Sequence, residues 1–307
     1  MKKYFLFLIL ALIFISSCAT IRPSETGISK LTGSPNGIQI KFLPEQPSDE
    51  IFEGSDVNLG LELTNNAACD ARGKLYITDT APSSRGGITE FISRDFDLPG
   101  ATVEGSKQRI EKTNFFIKAS PYTGLDRPEG LQVTLEATAI YNCRFTSGPQ
   151  FCVKSTFGEE QDCKITETIT GNQLRAYAAP VAITKVVKKT NPESGGVRLV
   201  TEITLSKMSN GYVSNEASTQ NPLTISEEDP ININVDFDGN QMECSGSNFR
   251  DNKLFWKAND PASKTITCHT LVNVVERIDG NLNINLDYVY KVTESKSIKI
   301  TKLTQTV

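Results

Sequence analysis

Residues 131–145, Leu-Gln-Val-Thr-Leu-Glu-Ala-Thr-Ala-Ile-Tyr-Asn-Cys-Arg-Phe, place Leu131, Val133, Leu135, Ala137, Ala139, Tyr141, Cys143 and Phe145 on one phase. Gln132, Thr134, Glu136 and Thr138 fall on the other. Side chains alternate from face to face along a strand, so this is a long β-strand with one continuously buried face. Shorter stretches repeat the pattern. Ile38, Ile40 and Phe42 alternate with Gln39 and Lys41 until Pro44 and Pro47 intervene, and Val57, Leu59, Leu61 and Leu63 alternate up to an Asn65-Asn66 turn. Gly73–Ile77 reads as a further strand, and residues 79–106 as weakly patterned edge strands around Ile88–Ile92. No segment sustains a period of 3.6, so the expected class is all-β.

The same plan recurs downstream. Val181 opens a strand after Pro180, as Ile38 does in the first half, and Leu282–Tyr288 aligns in face pattern and acidic position with Leu131–Ala137. Between them lie Val197–Leu205 and the alternating Ile231, Ile233, Val235 and Phe237, followed by an Asp238-Gly239 turn. Ile266 and Cys268, then Ile298 and Ile300, mark the last strands. A repeat of this length predicts two tandem antiparallel β-sandwich domains, 37–178 and 179–307, with the boundary near Ala178.

The N-terminus gives the address. Lys2 and Lys3 precede an apolar run, Tyr4 to Ile15, too short to span a bilayer, and then Ser16-Ser17-Cys18. Residues 1–17 are therefore expected to be an export signal peptide. Residues 18–36, rich in Ser, Thr, Gly and Pro, are expected to be a flexible tether.

Four resemblances follow from these residues. The Ile15-Ser16-Ser17-Cys18 ending resembles a lipobox, which implies a diacylated Cys18 as first residue of a mature lipoprotein and a membrane partner reached through that lipid. Ala139-x-Tyr141-x-Cys143 resembles the sixth strand of an immunoglobulin domain with its tyrosine corner. Residues 37–78, with their Glu53-Gly54-Ser55 turn and strict aliphatic alternation, are similar to cell-adhesion-related and other Ig-like domains of prokaryotic surface proteins. More broadly, the cysteine layout after Tyr141 and the Ala179-Pro180-Val181 opening are similar to uncharacterised archaeal surface proteins with two such domains. These resemblances imply architecture and location, and no activity.

Chemistry narrows the function further. A net charge of −4 over 307 residues argues against nucleic acid as a partner. Apart from Cys18 the cysteines are Cys69, Cys143, Cys152, Cys163, Cys244 and Cys268, an even number that reads as disulfides in an exported chain. Cys143 shares the buried phase and can face Cys69, leaving Cys152 for Cys163; the rival pairing joins Cys143 to Cys152 across a hairpin at Ser147-Gly148. Cys244 and Cys268 remain for the second half. No Cys-x-x-Cys pair occurs and His269 is the sole histidine, so no metal or other cofactor is expected, and a serine triad has a single base to draw on. Adjacent acids at Glu159-Glu160 and Glu227-Glu228-Asp229 read as solvated loop residues. Asp236, Asp238 and Asn240 offer alternating oxygen ligands of the kind calcium takes, although Asp238-Gly239 reads more simply as a hairpin turn. Trp256 is either a core residue or an exposed binding anchor.

The functional expectation is a non-catalytic, lipid-anchored cell-envelope binding or structural module that contacts another envelope or surface protein. The alternative, an envelope lipoprotein with hydrolytic or solute-binding activity, calls for clustered polar catalytic groups or a hinged pair of α/β domains.

Overall fold

The computed structural model describes residues 34–104, 107–126, 129–155, 163–174, 178–215, 229–257, 259–274 and 276–302, all within one compact unit. Among these residues the chain is all-β, interrupted by two single-turn 3-10 segments. The first half contains β1 (Ile38–Phe42), β2 (Glu50–Phe52), β3 (Val57–Asn65), β4 (Ala71–Asp79), β5 (Ile92–Leu98), a short hairpin of β6 (Thr102–Glu104) and β7 (Lys107–Arg109), β8 (Glu111–Ala119), β9 (Leu131–Ser147) and β10 (Gln150–Lys154). The second contains β11 (Thr166–Thr170), β12 (Val181–Glu193), β13 (Gly196–Lys207), β14 (Tyr212–Ser214), β15 (Asp229–Phe237), β16 (Asn240–Gln241), β17 (Glu243–Gly246), β18 (Phe249–Arg250), β19 (Lys253–Trp256), β20 (Ser263–Val272) and β21 (Arg277–Thr301).

The halves use these strands in parallel ways. In the first, β3 is flanked by β1 and β8, and its inward residues Val57, Leu59, Leu61 and Leu63 pack with Leu75 and Ile77 of β4 and Val133, Leu135 and Ala137 of β9. In the second, β13 is flanked by β12 and β20, and Val197, Leu199, Ile203 and Leu205 pack with Ile231, Ile233 and Val235 of β15 and Leu282, Ile284 and Leu286 of β21. Each half is thus sandwich-like, with a dry aliphatic layer between two antiparallel sheets.

The two halves share one sheet. All 17 residues of β9 pair with Ile284–Ile300 of β21 in a single unbroken antiparallel ladder. The first part of β9 lies beside β4 in the first half, and the last part of β21 completes that sheet; the first part of β21 lies beside β15 in the second half, where β10 completes the sheet by pairing with Arg277–Asn281. Each half therefore finishes its large sheet with a strand that begins in the other. The turn from β9 into β10 depends on Gly148, at φ 153°, where a Cβ would sit 1.7 Å from the carbonyl oxygen of Leu282.

Asn142 faces Val289 at the middle of the ribbon, and on either side Tyr141 faces Tyr290 and Cys143 faces Tyr288. The hydroxyl of Tyr141 accepts the N–H of Ile38, first residue of β1, at 3.2 Å. The hydroxyl of Tyr288 accepts the N–H of Val181, first residue of β12, at 3.1 Å. A buried phenol in each half thus satisfies the main-chain donor that opens the opposing sheet.

Some details differ from the sequence expectation. By this hydrogen bond Tyr288 corresponds to Tyr141, whereas the face-pattern alignment equated it with Ala137; alternation fixes a phase but not a register. The edge strand is Ile92–Leu98 rather than Ile88–Ile92. At the position of the expected boundary, the N–H of Ala68 donates to Ala178 O at 2.6 Å. The C-terminal end of the expected tether is already engaged, since Ser34 N–H donates to Asn66 O at 2.7 Å. The signal peptide and residues 18–33 lie outside the described residues.

Candidate functional site

Three disulfides are present. Cys69, in the turn after β3, bonds Cys143 on β9. Cys152, on β10, bonds Cys163, and Cys244 on β17 bonds Cys268, its direct partner on β20. Cross-links of this number belong to an oxidising, extracytoplasmic environment. Among the described residues no helix is long and apolar enough to cross a membrane. Cys18 lies outside the described residues.

His269 sits on the outer face of the β13–β20–β17 sheet, its side chain 38% exposed, with Nε2 3.6 Å from Glu243 Oε2. Nearby, Arg198 Nε donates to Glu193 Oε1 at 2.5 Å; this hydrogen bond holds the Glu193 carboxyl below its usual range and raises the guanidinium. The cluster is an exposed charge ladder. Glu159, Glu160, Glu227 and Glu228, and the Asp229 side chain, lie outside the described residues.

The Asp236–Asn240 segment is a tight hairpin between β15 and β16, with Asp238 and Gly239 both at positive φ. Asp236 Oδ1 accepts Gly239 N–H at 3.0 Å and Asn283 Nδ2 at 2.9 Å, so its carboxylate closes the turn. Among the described residues no group of three His, Cys, Asp or Glu side chains is gathered as a metal would need. Trp256 is 1% exposed; its indole N–H donates to Pro261 O at 3.1 Å, and the ammonium groups of Lys207 and Lys264 lie 5.2 and 5.8 Å from its ring. It is a core residue.

A buried cation went unnoticed in the sequence. Lys188 of β12 is completely buried, with Nζ donating to Cys152 O at 2.9 Å, 3.4 Å from Glu167 Oε2 and 5.5 Å from the Phe151 ring centre. Burial lowers its pKa, and Glu167 partly offsets this. The signal was present in the phase of β12, since Lys188 falls in step with the inward Val186. Its neighbours tie β10 to the facing sheet, which is a structural task.

Two open grooves flank the ribbon. One, about 430 Å³, runs between β1 and β21 over Ile38, Ile40 and Val292, with Gln39, Thr64 and Thr293 on its walls. The other, about 450 Å³, lies on the outer sheet face around Asn142, Asn232, Lys253 and the ion-paired Arg144 and Asp287. The first mixes apolar and polar lining, the second is lined chiefly by amides, hydroxyls and charges, and both are open, unlike the apolar clefts that enclose small ligands. No family model and no curated protein matches the chain.

Proposed function

We propose that this chain is a lipid-anchored, non-catalytic module of the cell envelope, in which an acylated Cys18 holds two immunoglobulin-like sandwiches outside the membrane to contact another envelope or surface protein. The observation that carries the reading is the disulfide-stapled, strand-sharing body. A single ladder crossing both sandwiches makes them one rigid block, suited to presenting surfaces at a fixed distance and orientation. The reactive groups the sequence offered are otherwise engaged: the six cysteines beyond Cys18 are oxidised, Asp236 closes a turn and His269 faces Glu243 on an open surface. Two acyl chains on Cys18 give stable anchoring where one gives only marginal binding.

Intact-mass analysis of the membrane fraction tests the anchor, with a lipid-modified Cys18 at the mature terminus as the expected result and an unmodified soluble protein as the contrary one. Crosslinking in intact cells tests the contact role. A reproducible protein partner supports it, and a turnover abolished by His269→Ala with every association retained gives the decision to the hydrolytic alternative.

A further inference from the structure

Strand β8 ends the three-stranded sheet, pairing with β3 and, among the described residues, with no strand on its other side. Which of its main-chain groups are left open follows from its neighbours. Gly60 of β3 donates its N–H to Gln46 O at 3.0 Å and accepts Leu43 N–H at 2.8 Å, so Gly60 and the residues in phase with it turn their polar groups towards β1. Leu59, Leu61 and Leu63 therefore turn towards β8, where their partners are Ile117, Phe115 and Thr113. Directly opposed residues in an antiparallel pair exchange both hydrogen bonds or neither. The N–H and C=O groups of Lys112, Asn114, Phe116 and Lys118 consequently point out of the sheet, at the spacing an added strand requires.

The side chains of these four residues are all exposed on the outer face. Phe116, at 69%, is the most exposed large hydrophobic among the described residues, and its cross-strand partner is Gly60. The ring therefore has no opposing side chain on β3. Lys112 pairs with Glu62 at 3.1 Å and Lys118 with Asp56 at 2.6 Å, but both lysine side chains are more than half exposed, and such pairs hold their charges weakly. Unlike β1, whose free edge looks across the groove to β21, β8 pairs with no strand beyond β3 among the described residues, although β5 approaches it and its Lys118 end shares a groove with Gly87–Ile92.

We propose that the free edge of β8 is a docking strand for an extended segment of a partner protein, one that carries an apolar residue to cover Phe116 between acidic residues that meet Lys112 and Lys118. This deepens the envelope-module reading and rests on it. Main-chain pairing supplies the affinity of such strand addition, and the alternate side chains supply its selectivity. A second copy is the poorer occupant. The outward positions of β8 hold two cations and no acid, so self-pairing has no charge attraction, and the register that opposes Asn114 to Phe116 sets Lys112 against Lys118. Edge lysines discourage self-association in this way while leaving an acidic strand welcome.

The probe is a fluorescein-labelled nine-residue peptide of alternating threonine and valine, with a central phenylalanine and, on the same face, glutamates two residues before it and four after it, titrated against the full-length protein in detergent by fluorescence anisotropy. A counterpart with lysine for glutamate is run alongside. Asn114→Pro removes an outward N–H without touching the β3 ladder, so it keeps the fold while blocking strand addition. The glutamate peptide is expected to bind about tenfold more tightly than the lysine one, and about tenfold more weakly to Asn114→Pro, each a change of roughly 1.4 kcal/mol. The double variant Lys112→Glu/Lys118→Glu is expected to reverse the peptide preference. Equal binding by Asn114→Pro, or no binding by the unmodified protein, overturns the proposal, as does a dimer in sedimentation that Asn114→Pro abolishes, which would identify a second copy. Crosslinking in intact cells separates the two levels: a partner kept by Asn114→Pro sinks the β8 edge alone, whereas absence of any partner for either protein sinks the module reading as well.

Discussion

Two residues beyond the clamping tyrosine of the first half stands Cys143, bonded to Cys69 in the turn that follows β3. Two residues beyond Tyr288 stands Tyr290, whose hydroxyl donates to Ser209 O, in the turn that follows β13, at 3.2 Å. The long strand is tied to the same loop in both halves, covalently in one and by a hydrogen bond in the other. The second half places its own covalent link, Cys244–Cys268, between neighbouring strands at its margin, and Cys152–Cys163 lies beside β10, the first-half strand that completes its sheet. What the two halves keep in common is the tyrosine that caps the opening strand and the ribbon they both build. The corner geometry is the constant, and the chemistry that secures it is interchangeable.

The severest test of this comparison is to express residues 19–178 and 179–307 separately. Each lacks the strand that completes its large sheet, so neither is expected to show a cooperative thermal transition, and mixing the two is expected to restore one. An independent transition in either piece would show that the shared ribbon is dispensable. Next, Cys69→Ala/Cys143→Ala opens a link between residues 74 apart, and chemical denaturation should show a loss of about 4 kcal/mol.

Tyr141→Phe and Tyr288→Phe each strand a buried main-chain donor, at about 2 kcal/mol apiece. Equal losses, read by urea denaturation, would support the correspondence of the two tyrosines, and a marked inequality would break it. Tyr290→Phe removes a single hydrogen bond and should lower stability by about 1 kcal/mol, well below the disulfide it mirrors.

The smallest expected effect concerns Lys188. Its folded pKa lies below the unfolded 10.5, so between the two values the unfolded chain binds more protons and stability rises with pH. The buried tyrosines are shifted upward and act in the opposite sense above pH 10. Subtracting the pH profile of Lys188→Met from that of the unmodified protein isolates the lysine, and the difference should climb as pH approaches 10.5 and then level off. A flat difference would mean that the ammonium carries no burial penalty.

The alternation of Leu131–Phe145 made the central strand, its inward tyrosine and its inward cysteine legible, because one face of it is buried from end to end. That this strand serves both halves was not legible, since a period of two looks the same whichever neighbour lies alongside. Its length was the clue: strands in globular proteins cluster at about 5–6 residues, and β9 has 17. The partner β21 reads as two strands in the sequence because Thr293, Glu294 and Ser295 lie exposed between its buried ends and interrupt the pattern. Strand β5 was misplaced for the opposite reason. As an outer strand it buries only Phe96 and Leu98, and its Ser-Arg-Asp stretch reads as a loop. Of the chemistry, the Asp238-Gly239 hairpin was readable from turn preference, whereas the open face of β8 depends on which strands are its neighbours, and sequence does not give that.

The ribbon also determines how the protein bears load. Strands β9 and β21 cross from one half to the other already extended, so neither holds slack that could be drawn out when the halves are pulled apart along its axis. Lengthening requires one strand to slide past the other, and the hydrogen bonds of the ladder then resist together, in shear, instead of opening one after another from an end. A body built this way passes tension from one half to the other almost without stretching, as a tie rod does and a hinged chain does not.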